Sequence, residues 1–282
     1  MENQSSFPFK NYRGRIAPTP TGFLHLGHAK TFGLAAARCK AVAGTLILRI
    51  EDIDRARCKK EFTQAAIEDL HALGITWQEG PDVGGNFAPY VQSQNLDYFL
   101  EIWRKLKDSG TIYPCRKSRK DVANATRAPH AEDEDAEAIF PIEWRPKDKN
   151  FGRDFEEPGD WNWRFRVPVG EVVEFVDALQ GPQKFVAGTD FGDFVVWRRD
   201  GVPAYELAVV ADDIRMQITE VVRGADLLKS TARQLLIYRA LGAFPPMFAH
   251  APLILDENGK RLAKRSDALS VRALLARGEK IV

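Results

Sequence analysis

The segment RIAPTPTGFLHLGHAKT, Arg15 to Thr31, constrains the fold more than any other stretch of the 282 residues. An apolar run ends at Ala17, Pro18 to Gly22 cannot be helical, and the alanine-rich AKTFGLAAARCKAVA follows His28. The order is strand, tight loop, helix start. Backbone N–H groups without intrahelical partners and the positive end of the helix dipole favour an anion such as a triphosphate there. His25 and His28 flank Gly27, which has no side chain to keep a flat ring or a phosphate from the backbone. A histidine at this point serves equally as a helix cap or a packed residue.

In GTLILRIEDIDRARCKKEF, a short β-branched apolar run, Leu46 to Ile50, precedes Glu51, Asp52 and Asp54. Ligands of open α/β sheets gather at the carboxyl ends of strands. Carboxylates placed there can hold an ammonium group or a metal ion, or cap the next helix; Asp54 reads as the cap and Glu51 as the ligand group. The amphipathic NLDYFLEIWRKLKDSG and the run TIYPC continue the alternation to about residue 120, which predicts a doubly wound parallel α/β sheet.

From Lys117 to Asp160 the pattern gives way to charged, proline-containing sequence, including HAEDEDAEA, which reads as an insertion with a solvated acidic face. WNWRFRVPVGEVVEFVDALQG predicts an antiparallel hairpin that completes it. A helix from about Tyr205, the strand ITEVVRG and a helix bearing Leu227, Leu228, Leu235, Leu236 and Leu241 return to the sheet. Arg223 then falls at the ligand edge, or in a surface salt bridge. HAPLILDENGKRLAKRSDALS predicts a final strand, a turn and a basic loop with Lys260, Arg261, Lys264 and Arg265, either solvated or a mobile phosphate clamp. The expected division is 12–115 and 191–282 for the two halves of the sheet domain, with 116–190 inserted.

No apolar run approaches ~18 residues, so no membrane span is expected. The amino terminus, MENQSSFPFKNY, lacks the basic and apolar regions of a signal peptide, which predicts a cytoplasmic protein. Cys39, Cys58 and Cys115 are widely spaced, as reduced thiols without a CxxC metal pair. A net charge of only +1 confines any nucleic-acid contact to a local basic face. The sequence lacks an obvious apolar interface helix, and a monomer is expected.

Taken together, these segments resemble the class I aminoacyl-tRNA synthetases of the glutamyl and glutaminyl group. RIAPTPTGFLHLGH resembles their RFAPSPTG element joined to the HIGH motif, LRIEDID the element after the second strand, VVRGADLL a strand-to-helix junction, and RLAKR a degenerate KMSKS motif. The matches run in order from about Arg13 to Lys264. The resemblance implies a Rossmann-like catalytic domain with an inserted α+β acceptor-type subdomain. It also implies ATP-dependent activation of L-glutamate to an adenylate, followed by transfer to RNA. On that resemblance His25, Gly27, His28 and Lys264 are expected to contact ATP, with His25, His28 and Lys264 catalytic. Arg15, Ala17 and Thr19 are expected to bind the amino acid, Glu51 its ammonium, and Tyr205 and Arg223 to recognise it, Arg223 facing the side-chain carboxylate. Magnesium is expected with ATP.

Three departures narrow the resemblance. The sequence ends at Val282, 18 residues beyond Lys264, so an appended anticodon-binding domain is not expected. With AYELAVV, where Val209 replaces a usual Asn, this resembles the stand-alone paralogues that attach glutamate to queuosine in tRNA(Asp), and the implied partner is that tRNA's anticodon stem-loop. Many such paralogues bind zinc in the insertion through a CxC pair, a Tyr and a Cys. Here Cys115 is followed two residues on by Lys117, and the downstream counterparts are Phe140 and Trp144. One thiol cannot make a tetrahedral site, so zinc is not expected and apolar and aromatic residues should hold the insertion. Ala263 also stands where KMSKS usually has Ser. The competing readings are a catalytic fragment of an enzyme charging the 3′ end of tRNA(Glu), a catalytically silent RNA-binding paralogue, and an adenylate-forming ligase for a small amine.

Overall fold

The computed structural model describes residues 11–126, 138–253, 270–279 and 281. In chain order the elements are β1 (Arg13–Ile16), α1 (Leu26–Ala41), β2 (Thr45–Leu48), α2 (Lys60–Ala72), α3 (Leu96–Asp108), β3 (Ile112–Cys115) and α4 (Arg119–Thr126). There follow β4 (Asn162–Phe165), β5 (Val172–Asp177), β6 (Gly181–Val186), β7 (Val195–Trp197), α5 (Tyr205–Arg215), β8 (Glu220–Gly224), α6 (Leu228–Ala240), β9 (Met247–Ala251) and α7 (Val271–Ala276).

Six strands form the main sheet in the order β2-β1-β8-β9-β5-β6, parallel except for the antiparallel edge strand β6. The strand side chains are shared between two cores. Leu46, Leu48, Val222 and Ala249 pack with Ala29, Phe32, Ala35 and Cys39 of α1, whereas Ile47, Val221 and Phe248 pack with Tyr90, Met216 and Ile218. Successive strand residues point to opposite faces, so both faces are covered, as a parallel sheet requires. This is the predicted doubly wound α/β sheet. The chain leaves β1 towards β2 and leaves β8 towards β9, in opposite directions, which makes the gap between β1 and β8 the switch point of the topology.

A second, three-stranded antiparallel sheet, β3-β4-β7, carries the insertion. It shares a core with the helices of the main domain: Trp103 of α3 meets Trp163 of β4 edge to face at 4.8 Å, and both are fully buried. α3 presents Phe99, Ile102, Trp103 and Leu106 at helical spacing to that core.

Three local expectations are corrected. The predicted hairpin does not form: β4 pairs with β3 and β7, while β5 turns into β6 and also pairs in parallel with β9, widening the main sheet. Among the described residues the last strand is MFAHA, which starts three residues upstream of the expected run because Phe248, Ala249 and His250 fill the slot beside β8; the part of that run beyond Leu253 lies outside the described residues. Asp54 does not cap α2. The cap position is Lys59, and the Asp54 carboxylate instead pairs with Arg57 at 2.6 Å.

Candidate active site

The first loop delivers its two imidazoles to the start of α1. His25 is the N-cap, its Nδ1 accepting the Gly27 N–H at 3.1 Å, and the Nδ1 of His28 accepts the backbone N–H of His25 at 3.4 Å. The cap and ligand readings are therefore compatible. With Nδ1 an acceptor in both, each neutral ring carries its proton on Nε2 and presents it as a donor. The rings stack with centroids 3.8 Å apart, and His28 stacks in turn on Phe32. A Cβ at Gly27 would stand 3.0 Å from Cε1 of His25, so the glycine sets the seat of that ring. Beyond the loop, Ser270 bridges to His25 and Leu24 accepts the Val271 N–H at 2.8 Å, bringing the start of α7 against the same loop. Lys264, together with Lys260, Arg261, Ala263 and Arg265, lies outside the described residues.

Arg15 of β1 and Arg223 of β8 stand on either side of the switch point, both buried. Arg15 donates to the carbonyl of Val222 at 3.0 Å and lies 3.7 Å from Asp213. Burial lowers its pKa, and Asp213, Arg49, Glu51 and Arg223 all lie close enough to act on it. Glu51, just past β2, accepts from Arg49 at 2.9 Å. Burial alone would lower the pKa of the fully buried Arg49, but Asp213, Glu51 and Asp212 carry it above its ordinary value. Of the other acids after β2, Asp52 accepts from the Ser93 N–H and hydroxyl at 2.8 and 2.6 Å.

Arg223 differs from these arginines in its partners. Its Nε donates to His250 Nε2 at 3.1 Å, Nη1 to the Tyr205 hydroxyl at 3.3 Å and Nη2 to Thr231 at 2.7 Å. Every one of these is neutral, and among the described residues no carboxylate lies within ion-pair distance of its guanidinium. Tyr205, at the start of α5, is 41% exposed as a residue, but burial at its hydroxyl end raises its pKa. Beside it opens a cleft of about 480 Å³, lined among others by Arg119, Arg164, Tyr205, Glu206 and Arg233.

The structure thus brings Arg15, Glu51, Tyr205 and Arg223 into one charge cluster, with His25, Gly27 and His28 at the helix start. Ala17 is half-buried and Thr19 exposed on the connecting loop. Sequence reasoning missed Arg49, Asp213, Asp177, Thr231 and His250. The adjacent carboxylates in AVVADDI, inside an otherwise apolar helix, were the available signal for Asp213. In the insertion, Cys115 packs with Tyr113, Val122 and Phe140, and Trp144 lies against that cluster, its ring 5.7 Å from Phe140. Among the described residues no group of three or more His, Cys, Asp or Glu is placed to hold a metal ion, and none of their helices is long and apolar enough to cross a membrane.

Residues 11–280 match the family model described as tRNA synthetases class I (E and Q), catalytic domain. Similar curated proteins include the glutamyl-Q tRNA(Asp) synthetase of Symbiobacterium thermophilum, 46% identical over 94% of this chain and 81% of the relative. Its counterpart in Nitratidesulfovibrio vulgaris is 45% identical over 93% and 80%. Among solved structures, a glutamate tRNA ligase from Elizabethkingia meningosepticum, in complex with its amino acid, superposes with a TM-score of 0.76 at 30% identity. The match covers 91% of this chain and 52% of that one, so the chain spans about half the length of that ligase.

Proposed function

The chain belongs to the family of class I tRNA synthetase catalytic domains (E and Q) and is a ligase of the aminoacyl-tRNA synthetase type, and from that premise we propose that it activates L-glutamate with ATP and transfers the glutamyl group to queuosine in the anticodon loop of tRNA(Asp). The observation that carries the choice of amino acid is Arg223. A buried guanidinium surrounded by neutral partners is costly unless an anion completes it. The side-chain carboxylate of glutamate does so; the amide of glutamine would leave the charge unpaired. The choice of acceptor is supported by the printed names of the two glutamyl-Q relatives and by the cleft beside Tyr205, which has room for a nucleoside base.

In the first step an oxygen of the glutamate α-carboxylate attacks the α-phosphorus of ATP, and pyrophosphate leaves. Catalysis is positioning plus relief of developing negative charge. In this reading the Nε2–H groups of His25 and His28, above Gly27 at the helix start, donate to phosphate oxygens. Lys264, which precedes the Ser270 paired with His25, adds a positive charge. Magnesium would travel on the triphosphate, held by phosphate and water oxygens with few protein ligands, and would offset charge on the pyrophosphate. Arg15, Ala17 and Thr19 border the amino acid, Glu51 takes its ammonium, and Tyr205 and Arg223 take the side-chain carboxylate. In the second step a hydroxyl oxygen of the acceptor attacks the adenylate carbonyl carbon, an ester forms, and AMP leaves.

The test is glutamate-dependent ATP–pyrophosphate exchange, followed by transfer of labelled glutamate to queuosine-containing tRNA(Asp) and to tRNA(Glu). Exchange with label in the tRNA(Asp) anticodon loop is expected. Label on the 3′ end of tRNA(Glu) would replace the acceptor assignment, and absence of exchange would overturn the reading.

A further inference from the structure

Three neighbouring strands place a row of polar side chains across the carboxyl edge of the sheet: Arg223 on β8, His250 directly beside it in register on β9, and Asp177 at the end of β5. All three are buried, His250 completely. The carboxylate end of the row is pinned. Asp177 Oδ1 accepts backbone N–H groups from Leu179 at 3.0 Å, Gln180 at 2.9 Å and His250 at 3.1 Å, while Oδ2 lies 2.6 Å from His250 Nδ1. An ionised carboxylate accepts only, so Nδ1 carries the ring proton and Nε2 is left with its lone pair. That lone pair faces the Arg223 Nε–H at 3.1 Å. A ring protonated on Nε2 would oppose an N–H to an N–H beside a guanidinium. Thr231 holds the neighbouring Nη2 at 2.7 Å. The Nε side of the guanidinium is thus anchored, and one N–H on each terminal nitrogen remains without a partner among the described residues.

We propose that His250 is a positioning residue for glutamate recognition: by accepting the Nε–H of Arg223, in the tautomer that Asp177 imposes, it fixes the plane of the guanidinium and with it the discrimination of glutamate from glutamine. The inference rests on the reading that Arg223 takes the side-chain carboxylate. A guanidinium free to turn about its last bonds would present its donors in many directions, and bidentate geometry is what separates a carboxylate from an amide. Asp177 reaches this row only because β5 joins the main sheet, so the widening of the sheet by β5 and β6 completes the support of the pocket.

The test compares His250→Asn and His250→Gln in the full chain, by glutamate- and glutamine-dependent pyrophosphate exchange with melting temperatures alongside. The Gln side chain reaches the Nε2 position with an amide oxygen, whereas Asn reaches only the Nδ1 position. His250→Asn is expected to raise the KM for glutamate by about tenfold or more, the effect of one lost charge-assisted hydrogen bond, and to lower the glutamate-to-glutamine ratio, with kcat and the KM for ATP within about twofold. His250→Gln should recover most of the glutamate affinity. Asp177→Asn is the second variant, should His250→Asn not fold. The N–H groups of Leu179 and Gln180, which reach Oδ1 alone, keep its oxygen at that position, so its NH₂ faces Nδ1 and drives the ring proton to Nε2, and the same rise in glutamate KM is expected.

Unchanged glutamate KM in His250→Asn, equal losses for glutamate and ATP, or failure of Gln to outperform Asn would each overturn the positioning role while wild-type exchange still upheld glutamate activation. Absence of glutamate-dependent exchange in the wild type would overturn both.

Discussion

Nη1 of Arg49 stands 2.6 Å from Oδ1 of Asp213, tying the end of β2 to the last turn of α5 across 164 residues of chain. Asp212 lies 3.9 Å from the same guanidinium, and Glu51 receives its Nη2 at 2.9 Å. One buried cation therefore holds together three carboxylates, of which Glu51 borders the proposed ammonium site. Replacing Arg49 with Met keeps the volume but leaves those charges uncompensated. The expected loss of unfolding free energy is about 3–5 kcal/mol, in the range for breaking a buried ionic network. Urea unfolding checks it, and a loss below about 1 kcal/mol would mean that Arg15, 3.7 Å from Asp213, suffices to balance the network.

What was legible in the sequence follows from how local each signal is. The loop from Arg15 to Thr31 could be read because Pro18, Pro20, Gly22 and Gly27 dictate backbone geometry by themselves. Tyr205 and Arg223 fell correctly at a helix start and a strand because apolar periodicity frames both. The partner of β5 could not be read. Its exposed Val172 and Val176 alternate with buried Val173 and Asp177, the pattern of a solvent-facing hairpin. Nothing in that alternation says that its other edge will lie beside β9. His250 was missed for the same reason: an isolated histidine in an apolar strand gains meaning only when Asp177 and Arg223 arrive on its two sides.

At Gly27 the prediction is steric. An alanine Cβ would stand 3.0 Å from Cε1 and 3.1 Å from Nδ1 of His25, closer than a relaxed contact. The helix tolerates Ala at this position, so fold stability should hold while the imidazole is displaced. Gly27→Ala is expected to reduce kcat/KM for ATP by roughly tenfold or more, since misplacing a catalytic group by a fraction of an ångström is costly. An unchanged value in pyrophosphate exchange would remove His25 from the phosphate site.

The stability of the protein should fall with acid through a window set by His250. Burial, with Arg223 behind it, lowers the imidazole from 6.5 to about 4 despite the hydrogen bond to Asp177. Arg15 adds to the lowering, while Thr231 and the ring of Phe248 are uncharged neighbours. Between those two values the unfolded chain takes up a proton that the folded chain refuses, so unfolding becomes easier as pH drops. Asp177 acts in the same direction. Burial alone would raise it, but the hydrogen bonds from His250, Leu179 and Gln180 hold it below its usual range, and that stabilisation is also lost in acid. The His250 part corresponds to roughly 3 kcal/mol between pH 6.5 and 4. His250→Gln should flatten the dependence of melting temperature on pH across that window, and an unchanged slope would assign the acid sensitivity elsewhere.

The insertion provides a way to separate the two chemical steps. Asp193, just before β7, accepts from the Tyr113 hydroxyl at 2.6 Å, the Arg145 Nε at 2.7 Å and the Val167 N–H at 2.9 Å. Arg145 Nη2 also pairs with it. A single buried carboxylate thus clips together β3, the loop of Arg145 and the connection from β4 to β5, along one wall of the cleft beside Tyr205. Asp193→Asn keeps the shape but gives Arg145 a neutral partner and offers an N–H where only acceptors fit. The hydrogen bonds of this clip involve Tyr113, Arg145 and Val167, and not Arg15, Glu51 or Arg223. The variant should therefore retain glutamate-dependent pyrophosphate exchange within about twofold while transfer to tRNA falls by about tenfold, the effect of one weakened charge-assisted contact on the acceptor wall. Equal losses in both reactions would mean that the insertion supports the adenylate site as well; unchanged transfer would mean that the acceptor does not use this wall.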